Sequence, residues 1–145
     1  MAALNRDSMP VIAAESEFRR EAFDELLAQR AVTHLQFCLP LCGGFTGACE
    51  LDERAQALGI ASTPQCFSTA IAQSASLHFA AARANVSMAE FHCFHDHLKA
   101  LYRGRTGRVA EGKASAGASP GLGVAVPQVG VQEDGSVVTL LHTQG

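Results

Sequence analysis

Charge is distributed very unevenly along this chain of 145 residues. Asp, Glu, Lys and Arg are absent from residues 31–49 and 55–82, and a short charged segment at 50–54 separates the two stretches. Because a charge is costly to bury and easily solvated, this pattern indicates two buried segments that are joined at the surface. Membrane insertion or an exposed interaction surface would give a similar pattern, so other features must separate these alternatives.

The uncharged stretches do not have the composition of membrane-spanning helices. Pro40, Gly43 and Gly44 interrupt the first stretch and Pro64 interrupts the second, whereas a spanning helix needs about 20 mainly apolar residues. We therefore predict no membrane association. Five Cys residues are an odd number, and residues 1–9 do not resemble a signal peptide. Free thiols in a reducing cytoplasm are the expectation from these two observations.

The spacing of the apolar residues predicts an all-α fold, a small helical bundle of three main helices plus one short helix. The main helices are expected at residues 16–32, 63–82 and 87–104, the short helix at 52–58, and a Gly-rich loop at 39–49. Thr63 and Pro64 are typical of a helix start. Ser87 and Glu90 have the spacing of a capping box, which favours a helix beginning there.

Three segments are predicted along the chain: a flexible leader at 1–14, a helical domain at 15–104, and a mobile linker and tail at 105–145. The tail begins with a stretch rich in Gly, Ala and Ser, which is typical of a flexible linker. An Asp-Gly turn at 134–135 predicts a weak β-hairpin within the tail. The predicted core of the helical domain is Phe18, Phe23, Leu26, Leu27, Leu35, Phe37, Leu58, Ile60, Phe67, Ile71, Phe91, Phe94, Leu98 and Leu101.

Two His/Cys pairs are candidates for a zinc site. His34 and Cys38 are four residues apart, as are Cys93 and His97, and this spacing places both members of a pair on one side of a helix. Two such pairs on facing helices supply the four ligands of a tetrahedral zinc site. The favoured alternative is that these Cys residues are small buried side chains and that no cofactor is bound.

A helix-turn-helix is a second alternative, because residues 53–71 contain two predicted helices separated by Gly59. The chain would then be a DNA-binding transcription regulator. The basic residues available to hold phosphates are Arg103, Arg105 and Arg108. However, the predicted recognition helix has no Lys or Arg before Arg83, so nucleic-acid binding is disfavoured.

No arrangement of residues in the sequence indicates catalysis. His92 and Asp96 have the spacing of an oriented imidazole, but no acid, base and nucleophile converge. The glycines at 43–47 match no phosphate-binding loop. By elimination, we predict a small cytoplasmic accessory or regulatory protein that acts through contact with a protein partner, either another protein or a second copy as a homodimer.

Overall fold

A parallel β-sheet forms the centre of the computed structural model, which describes residues 9–66, 69–92, 103–104, 108–125, 128–131 and 137–140. Its strands β1 (Ile12–Ala13), β2 (His34–Cys38) and β3 (Ala61–Gln65) lie side by side in that order. A helix follows each strand: α1 (Arg20–Ala28), α2 (Gly44–Ala57) and α3 (Ala70–Ala82). Parallel neighbours require a crossover of this kind, so the chain repeats a βα unit.

Residues 86–90, which we call the edge segment, continue the sheet beyond β3. Val86 forms a parallel bridge with Ser62, and Glu90 Oε2 accepts a hydrogen bond from the backbone N–H of Cys66 at 3.3 Å. Both pairs are separated by the same number of residues along the chain, so the edge segment runs alongside β3 in the same direction. Parallel strands that are neighbours in space as in sequence, each followed by a helix, are the arrangement of an α/β barrel.

One face of the sheet is apolar and lies under the helices. Leu35 and Phe37 of β2 are fully buried, and the ring of Phe37 meets the ring of Phe79 in α3 edge to face, with centroids 5.6 Å apart. Removing this surface from water is the main favourable contribution to folding. The same cluster also contains Phe23, Leu27, Val32, Leu39, Ala48, Leu51, Ala55, Ile60 and Ala75.

The opposite face of the sheet is polar. Successive residues of a strand point to alternate faces, so Gln36 and Cys38 of β2 lie on the face away from the helices. The register pairs Gln36 with Thr63 and Cys38 with Gln65, and all four residues are buried. In an α/β barrel this is the face that lines the interior.

Thr33 attaches the short strand β1 to β2. Its hydroxyl donates a hydrogen bond to the carbonyl of Val11 and accepts one from the N–H of Val11, both at 2.9 Å. The backbone N–H of Thr33 donates to the same carbonyl, also at 2.9 Å. Because β1 is only two residues long, these bonds make up a large part of its attachment to the sheet.

Two local features determine where helices begin. Thr69 caps α3, because its hydroxyl accepts a hydrogen bond from the N–H of Ala72 at 3.2 Å. In the first turn of α2, a Cβ atom at Gly47 would lie 1.8 Å from the carbonyl oxygen of Cys42. Only glycine permits this close approach of α2 to the turn at 39–43 that follows β2.

A buried ionic network joins α2 to the chain that leads into the edge segment. Asp52 is 1% exposed, and its carboxylate accepts hydrogen bonds from Nε of Arg83 at 2.6 Å and Nδ2 of Asn85 at 3.0 Å. Nδ2 of Asn85 also donates to the carbonyl of Ile60 at 3.0 Å. The carbonyl of Asn85 in turn accepts from the N–H of Ser62 at 3.1 Å, so the network holds this chain against β3.

The described part of the C-terminal region contains antiparallel pairs of short strands. These are β4 (Arg103–Gly104) with β7 (Val124–Ala125), β5 (Arg108–Ala110) with β6 (Lys113–Ser115), and β8 (Gln128–Val131) with β9 (Val137–Leu140). The last pair is the β-hairpin predicted for the tail. The hydroxyl of Ser74 in α3 donates a hydrogen bond to the carbonyl of Leu122, so this region contacts α3. The predicted division at 14 and 104 stays a prediction.

The prediction of an all-α bundle is wrong, because residues 34–38 and 61–65 are strands of a parallel sheet. Both strands are short and buried on both faces, so they lack the alternation of apolar and polar residues that marks a half-exposed strand. Pro64 contributed to the error, since proline is common in the first turn of a helix and rare inside a sheet. The helix-turn-helix at 53–71 is wrong for the same reason, because β3 lies within it.

The individual helix predictions are correct in part. α1 lies inside the helix predicted at 16–32, and α3 lies inside the one predicted at 63–82. The predicted Gly-rich loop at 39–49 is wrong in its second half, where α2 begins at Gly44 and continues through most of the predicted short helix. Glycine lowers helix propensity, which is why its packing role in α2 was not apparent from the sequence.

The helix predicted at 87–104 is wrong at both ends. Residues 87–92 are not helical and 103–104 form β4, while 93–102 lie outside the described residues. Of the predicted core, five residues are buried: Phe23, Leu27, Leu35, Phe37 and Ile60. Leu26, Leu58 and Ile71 are half-buried and Phe18 and Phe91 are exposed, whereas Phe67, Phe94, Leu98 and Leu101 lie outside the described residues. Within the described ranges, no helix is long and apolar enough to cross a membrane.

Candidate functional site

Polar side chains collect where the parallel strands end. Glu15 follows β1, Cys38 ends β2, Gln65 ends β3, and Glu90 ends the edge segment, while Gln36 lies in the middle of β2 and hydrogen-bonds to Glu90. The carboxyl ends of parallel strands share one edge of the sheet, and this edge carries the ligand-binding groups of α/β proteins. We refer to these five residues as the carboxyl-edge site.

Glu15 lies at an open cavity of about 410 Å³ that is also lined by Gln36, Ser16 and Glu17. The chain turns sharply into this cavity, because the carbonyl of Ala14 accepts a hydrogen bond from the N–H of Glu17 at 3.1 Å. Ala14 has a φ of 96°, a region that disfavours any residue with a Cβ atom. Backbone strain of this kind is found most often at functional sites.

Glu90 links the ends of β2 and β3 across the polar face. One carboxylate oxygen accepts a hydrogen bond from Nε2 of Gln36, and the other accepts from the N–H of Cys66. Because Nε2 donates to Glu90, the orientation of the Gln36 amide is fixed, and its Oε1 is left to act as an acceptor. Gln36 therefore connects Glu90 to the cavity that holds Glu15.

Several buried polar atoms near this edge have no hydrogen-bond partner among the described residues. They are Oγ1 of Thr63, Oε1 of Gln65, and both amide atoms of Gln73 in the second turn of α3. Buried polar groups are almost always paired, so unpaired ones mark places where water, an ion or a ligand completes the structure. Thr63 and Gln65 lie on the polar face of β3, beside Gln36 and Cys38.

The thiols near the end of β2 are protonated at neutral pH. Burial, reinforced by the neighbouring Cys38, raises the pKa of Cys42 to about 11. Burial also raises the pKa of Cys38, an effect opposed by the backbone N–H of Leu41 and reinforced by the negative charge of Glu90. The thiolate is the reactive form of cysteine, so neither residue is an activated nucleophile.

The structure places the predicted zinc ligands as follows. His34 and Cys38 occupy the first and last positions of β2, and a rise of about 3.3 Å per residue separates them by about 13 Å. They are therefore not one helical turn apart, which was the basis for pairing them. Cys93 and His97 lie outside the described residues, so the zinc site stays a prediction. Among the described residues, no group of three His, Cys, Asp or Glu side chains could hold a metal ion.

The other candidate residues are scattered. Arg103 lies in β4 and Arg108 in β5, and Arg105 lies outside the described residues, as does Asp96, the predicted partner of His92. Gly43 precedes α2 with a positive φ of 97°, and Gly47 in its first turn permits the close approach to Cys42.

A comparison with known protein families finds one matching model, described as the Enolase C-terminal domain-like family, over residues 1–129. The chain belongs to this family. Its sequential parallel strands are consistent with the α/β barrel of the enolase superfamily. No curated protein matches the sequence.

Several solved structures of the enolase superfamily have a fold similar to that of this chain. An enolase from Pantoea ananatis with bound D-gluconate and Mg has a TM-score of 0.74 and 20% identity, over 86% of this chain and 31% of its own. A mandelate racemase/muconate lactonizing enzyme-like protein from Rubrobacter xylanophilus has a TM-score of 0.73 and 29% identity, over 86% and 32%. The L-Ala-D/L-Glu epimerase from Bacillus subtilis has a TM-score of 0.69 and 24% identity, over 82% and 33%.

The chain thus spans about a third of the length of the structures it matches. Membership of the enolase superfamily overturns the prediction of a non-catalytic accessory or regulatory protein, and with it the alternative of a transcription regulator. Those predictions relied on the absence of any recognisable catalytic motif. In a barrel, the functional residues come from the ends of several strands, so they form no contiguous motif in the sequence.

The residues of the carboxyl-edge site were mostly missed from the sequence. The spacing of Ser87 and Glu90 favours a capping box, and Glu15 lies at the boundary of the predicted flexible leader. The sequence contains no local signal for the site, because β2 and β3 are short and buried on both faces and so lack the alternation of a half-exposed strand.

Proposed function

We propose that this chain forms part of the active site of an enolase-superfamily enzyme that removes a proton from the carbon next to a carboxylate. The observation that carries the proposal is that Gln36 shares a cavity with Glu15 and hydrogen-bonds to Glu90, in a chain that belongs to the family. The neighbours support the reaction class, since they include an enolase and an epimerase.

Mg²⁺ is the cofactor that we propose for the complete enzyme. If bound here, Mg²⁺ would supply positive charge that offsets the negative charge developing on a substrate carboxylate. Mg²⁺ typically takes one or two protein carboxylates and completes its shell with water and substrate oxygens. The described residues fit this requirement, because Glu15 supplies an exposed carboxylate at the cavity and Gln36 lines the same cavity.

The residues of this chain have distinct roles in the proposal. Glu15 is the metal ligand. Glu90 is a positioning residue, because it fixes the amide of Gln36 at the cavity. Cys38 keeps its proton at neutral pH, since burial raises its pKa, so it does not serve as the base. Superfamily members use a Lys or His base, and the five residues of the carboxyl-edge site include neither. The base is expected from outside these five residues.

Mg²⁺ binding tests the proposal directly. Isothermal titration of the purified chain with MgCl₂ is expected to show binding that weakens at least about tenfold in Glu15→Gln, because a carboxylate ligand is lost. Glu17→Gln is the matched control, since Glu17 lines the same cavity, and it should change the affinity less than about threefold. Absence of Mg²⁺ binding to the unaltered chain, or equal losses in the two variants, would refute the assignment of Glu15.

The reaction class has its own test. NMR in D₂O with D-gluconate and Mg²⁺ should show deuterium entering at the carbon next to the carboxylate, or formation of a 2-keto acid as water is lost. The complete enzyme is the proper sample, because this chain spans about a third of its structural neighbours. A cytoplasmic location also belongs to the proposal, because Cys38, Cys42 and Cys49 form no disulfide among the described residues.

A further inference from the structure

Helix α3 begins at the carboxyl edge of the sheet and carries its first backbone N–H groups there. It follows β3 and starts at Ala70, and the hydroxyl of Thr69 caps the N–H of Ala72. The first N–H groups of a helix have no partner inside the helix, and those of Ala70 and Ile71 have none among the described residues. Because the first turn of α3 contains no Asp or Glu, the partial positive charge at this end of the helix is open to an anion.

The side chain of Gln73 is a second, independent feature at this end of α3. It is fully buried, and neither its amide oxygen nor its amide nitrogen has a hydrogen-bond partner in the part of the chain that the structure describes. Side chains of a helix lean towards its N-terminus and cover the preceding turn, so this amide lies over the turn that begins at Thr69. Buried amides are rarely left unpaired, because the lost hydrogen bonds are costly. The amide therefore marks a place that another molecule completes.

The neighbours of Gln73 place it on the side of α3 that faces the end of β3. Ser76 lies three residues further on, hence on the same face of the helix, and its hydroxyl donates to the carbonyl of Gln65 at 3.0 Å. Gln73 does not line the cavity that holds Glu15, so it is separate from the carboxyl-edge site.

The charges and the exposure around this turn are compatible with a bound anion. α3 itself contains no charged residue. Glu90, a carboxylate that reaches the chain after β3, accepts the N–H of Cys66 rather than an N–H of α3. Thr69 and Ile71 are half-buried, so the first turn of α3 is accessible from solvent.

We propose that the first turn of α3 and the amide of Gln73 bind a phosphate group. The N–H groups of Ala70 and Ile71 and Nε2 of Gln73 donate to phosphate oxygens, in the way that helix N-termini bind anions in other proteins. Oε1 of Gln73 requires a donor, which the O–H of a protonated phosphate supplies and a carboxylate lacks. The inference goes beyond the proposed function, because the Mg²⁺ site at Glu15 takes no part in it.

Titration of the purified chain with sodium phosphate at pH 7 tests the site, with NaCl holding the ionic strength constant. The NMR signals of the backbone N–H groups of Ala70 and Ile71 and of the Gln73 side-chain amide should shift as phosphate binds. Gln73→Met keeps the length of the side chain and removes the amide, so it should weaken phosphate binding about tenfold or more. Ser76→Ala is the matched control, because Ser76 is equally buried on the same face and its hydroxyl bonds to Gln65. It should weaken phosphate binding less than about threefold, since the hydrogen bond that it loses is not to the anion.

Thermal unfolding separates binding from folding. Without phosphate, Gln73→Met should unfold at a higher temperature than the unaltered chain, because it removes an unpaired buried amide. Added phosphate should raise the midpoint of the unaltered chain by mass action and leave that of Gln73→Met unchanged.

The proposal is overturned if phosphate shifts none of these NMR signals, or if Gln73→Met and Ser76→Ala weaken binding equally. A lower midpoint for Gln73→Met in phosphate-free buffer also overturns it, because the amide would then be paired within the protein. Glycerol phosphate distinguishes the source of the phosphate group. Tighter binding than that of inorganic phosphate supports a phosphorylated ligand, and weaker binding supports the free ion.

Discussion

At the scale of single residues, Ala14 has a strained backbone conformation. Its φ of 96° costs a residue with a Cβ atom about 1–3 kcal/mol, and the turn that follows carries Glu15 into the cavity. The backbone conformation of Ala14 therefore determines where Glu15, the proposed metal ligand, lies. Natural sites often keep such strain when the surrounding structure fixes the conformation.

Replacing Ala14 by glycine should stabilise the fold. Glycine adopts positive φ freely, and relief of strain should exceed the entropy that glycine adds to the unfolded chain, so we expect a gain of about 1 kcal/mol in the free energy of unfolding. Urea denaturation followed by circular dichroism measures this. Ala13→Gly, in β1, is the control and should destabilise; a loss of stability in Ala14→Gly would show that the strain is not real.

Cys42 should react very slowly with thiol reagents in the folded protein. Because burial raises its pKa to about 11, only about 0.1% of the thiol is ionised at pH 8. Alkylation with iodoacetamide, followed by mass spectrometry of peptides, should show labelling that increases about tenfold per pH unit up to pH 10. Rapid labelling at pH 7 in the folded state would contradict the placement of this side chain.

At the scale of elements, the network around Asp52 connects α2 with the edge segment. Burial alone would raise the pKa of Asp52, but hydrogen bonds from Ser62, Arg83 and Asn85 together with the charge of Arg83 lower it below its ordinary value of 3.8. A carboxyl group whose pKa is lowered by folding stabilises the native state above pH 3.8, and this contribution is lost as the pH falls through the folded value.

Asp52→Asn should therefore destabilise the protein and make its free energy of unfolding depend less on pH below pH 4. At pH 7 we expect a loss of about 2–3 kcal/mol, because Arg83 remains partly buried without its counter-charge. The difference from the unaltered chain should shrink as the pH is lowered from 4 towards 2. Guanidinium titrations across this pH range measure the difference in the free energy of unfolding. Glu53→Gln is the control, because it removes an exposed partner of Arg83, and it should cost less than about 0.5 kcal/mol. A constant difference at all pH values would contradict the network.

The elements also show which parts of the fold can be predicted from sequence. The amphipathic spacing around Phe23 and Leu27 identifies α1, and the uncharged stretch after Thr69 identifies α3. β2 and β3 could not be predicted, because their partners are distant in the chain and both of their faces are buried. Their identity depends on pairing, which local composition does not encode.

At the scale of the whole molecule, the carboxyl-edge site depends on the sheet rather than on any one segment of the chain. Glu15 and Glu90 are 75 residues apart in the sequence, and the sheet alone brings both to one edge. No local motif joins them, so sequence reasoning found neither as a site residue. The spacing of His34 and Cys38 brings their side chains together only on a helix, and residues 34–38 form a strand instead.

Thr33 adds a consequence for how the molecule opens. Its hydroxyl strengthens the attachment of β1, which is only two residues long and makes few backbone hydrogen bonds to β2. Breaking these hydrogen bonds would free β1 at a small fraction of the cost of global unfolding, so β1 is expected to detach and reattach while the remainder stays folded. The Thr33 hydroxyl would then determine how often the backbone groups of β2 are exposed, and with them the tendency of the chain to aggregate.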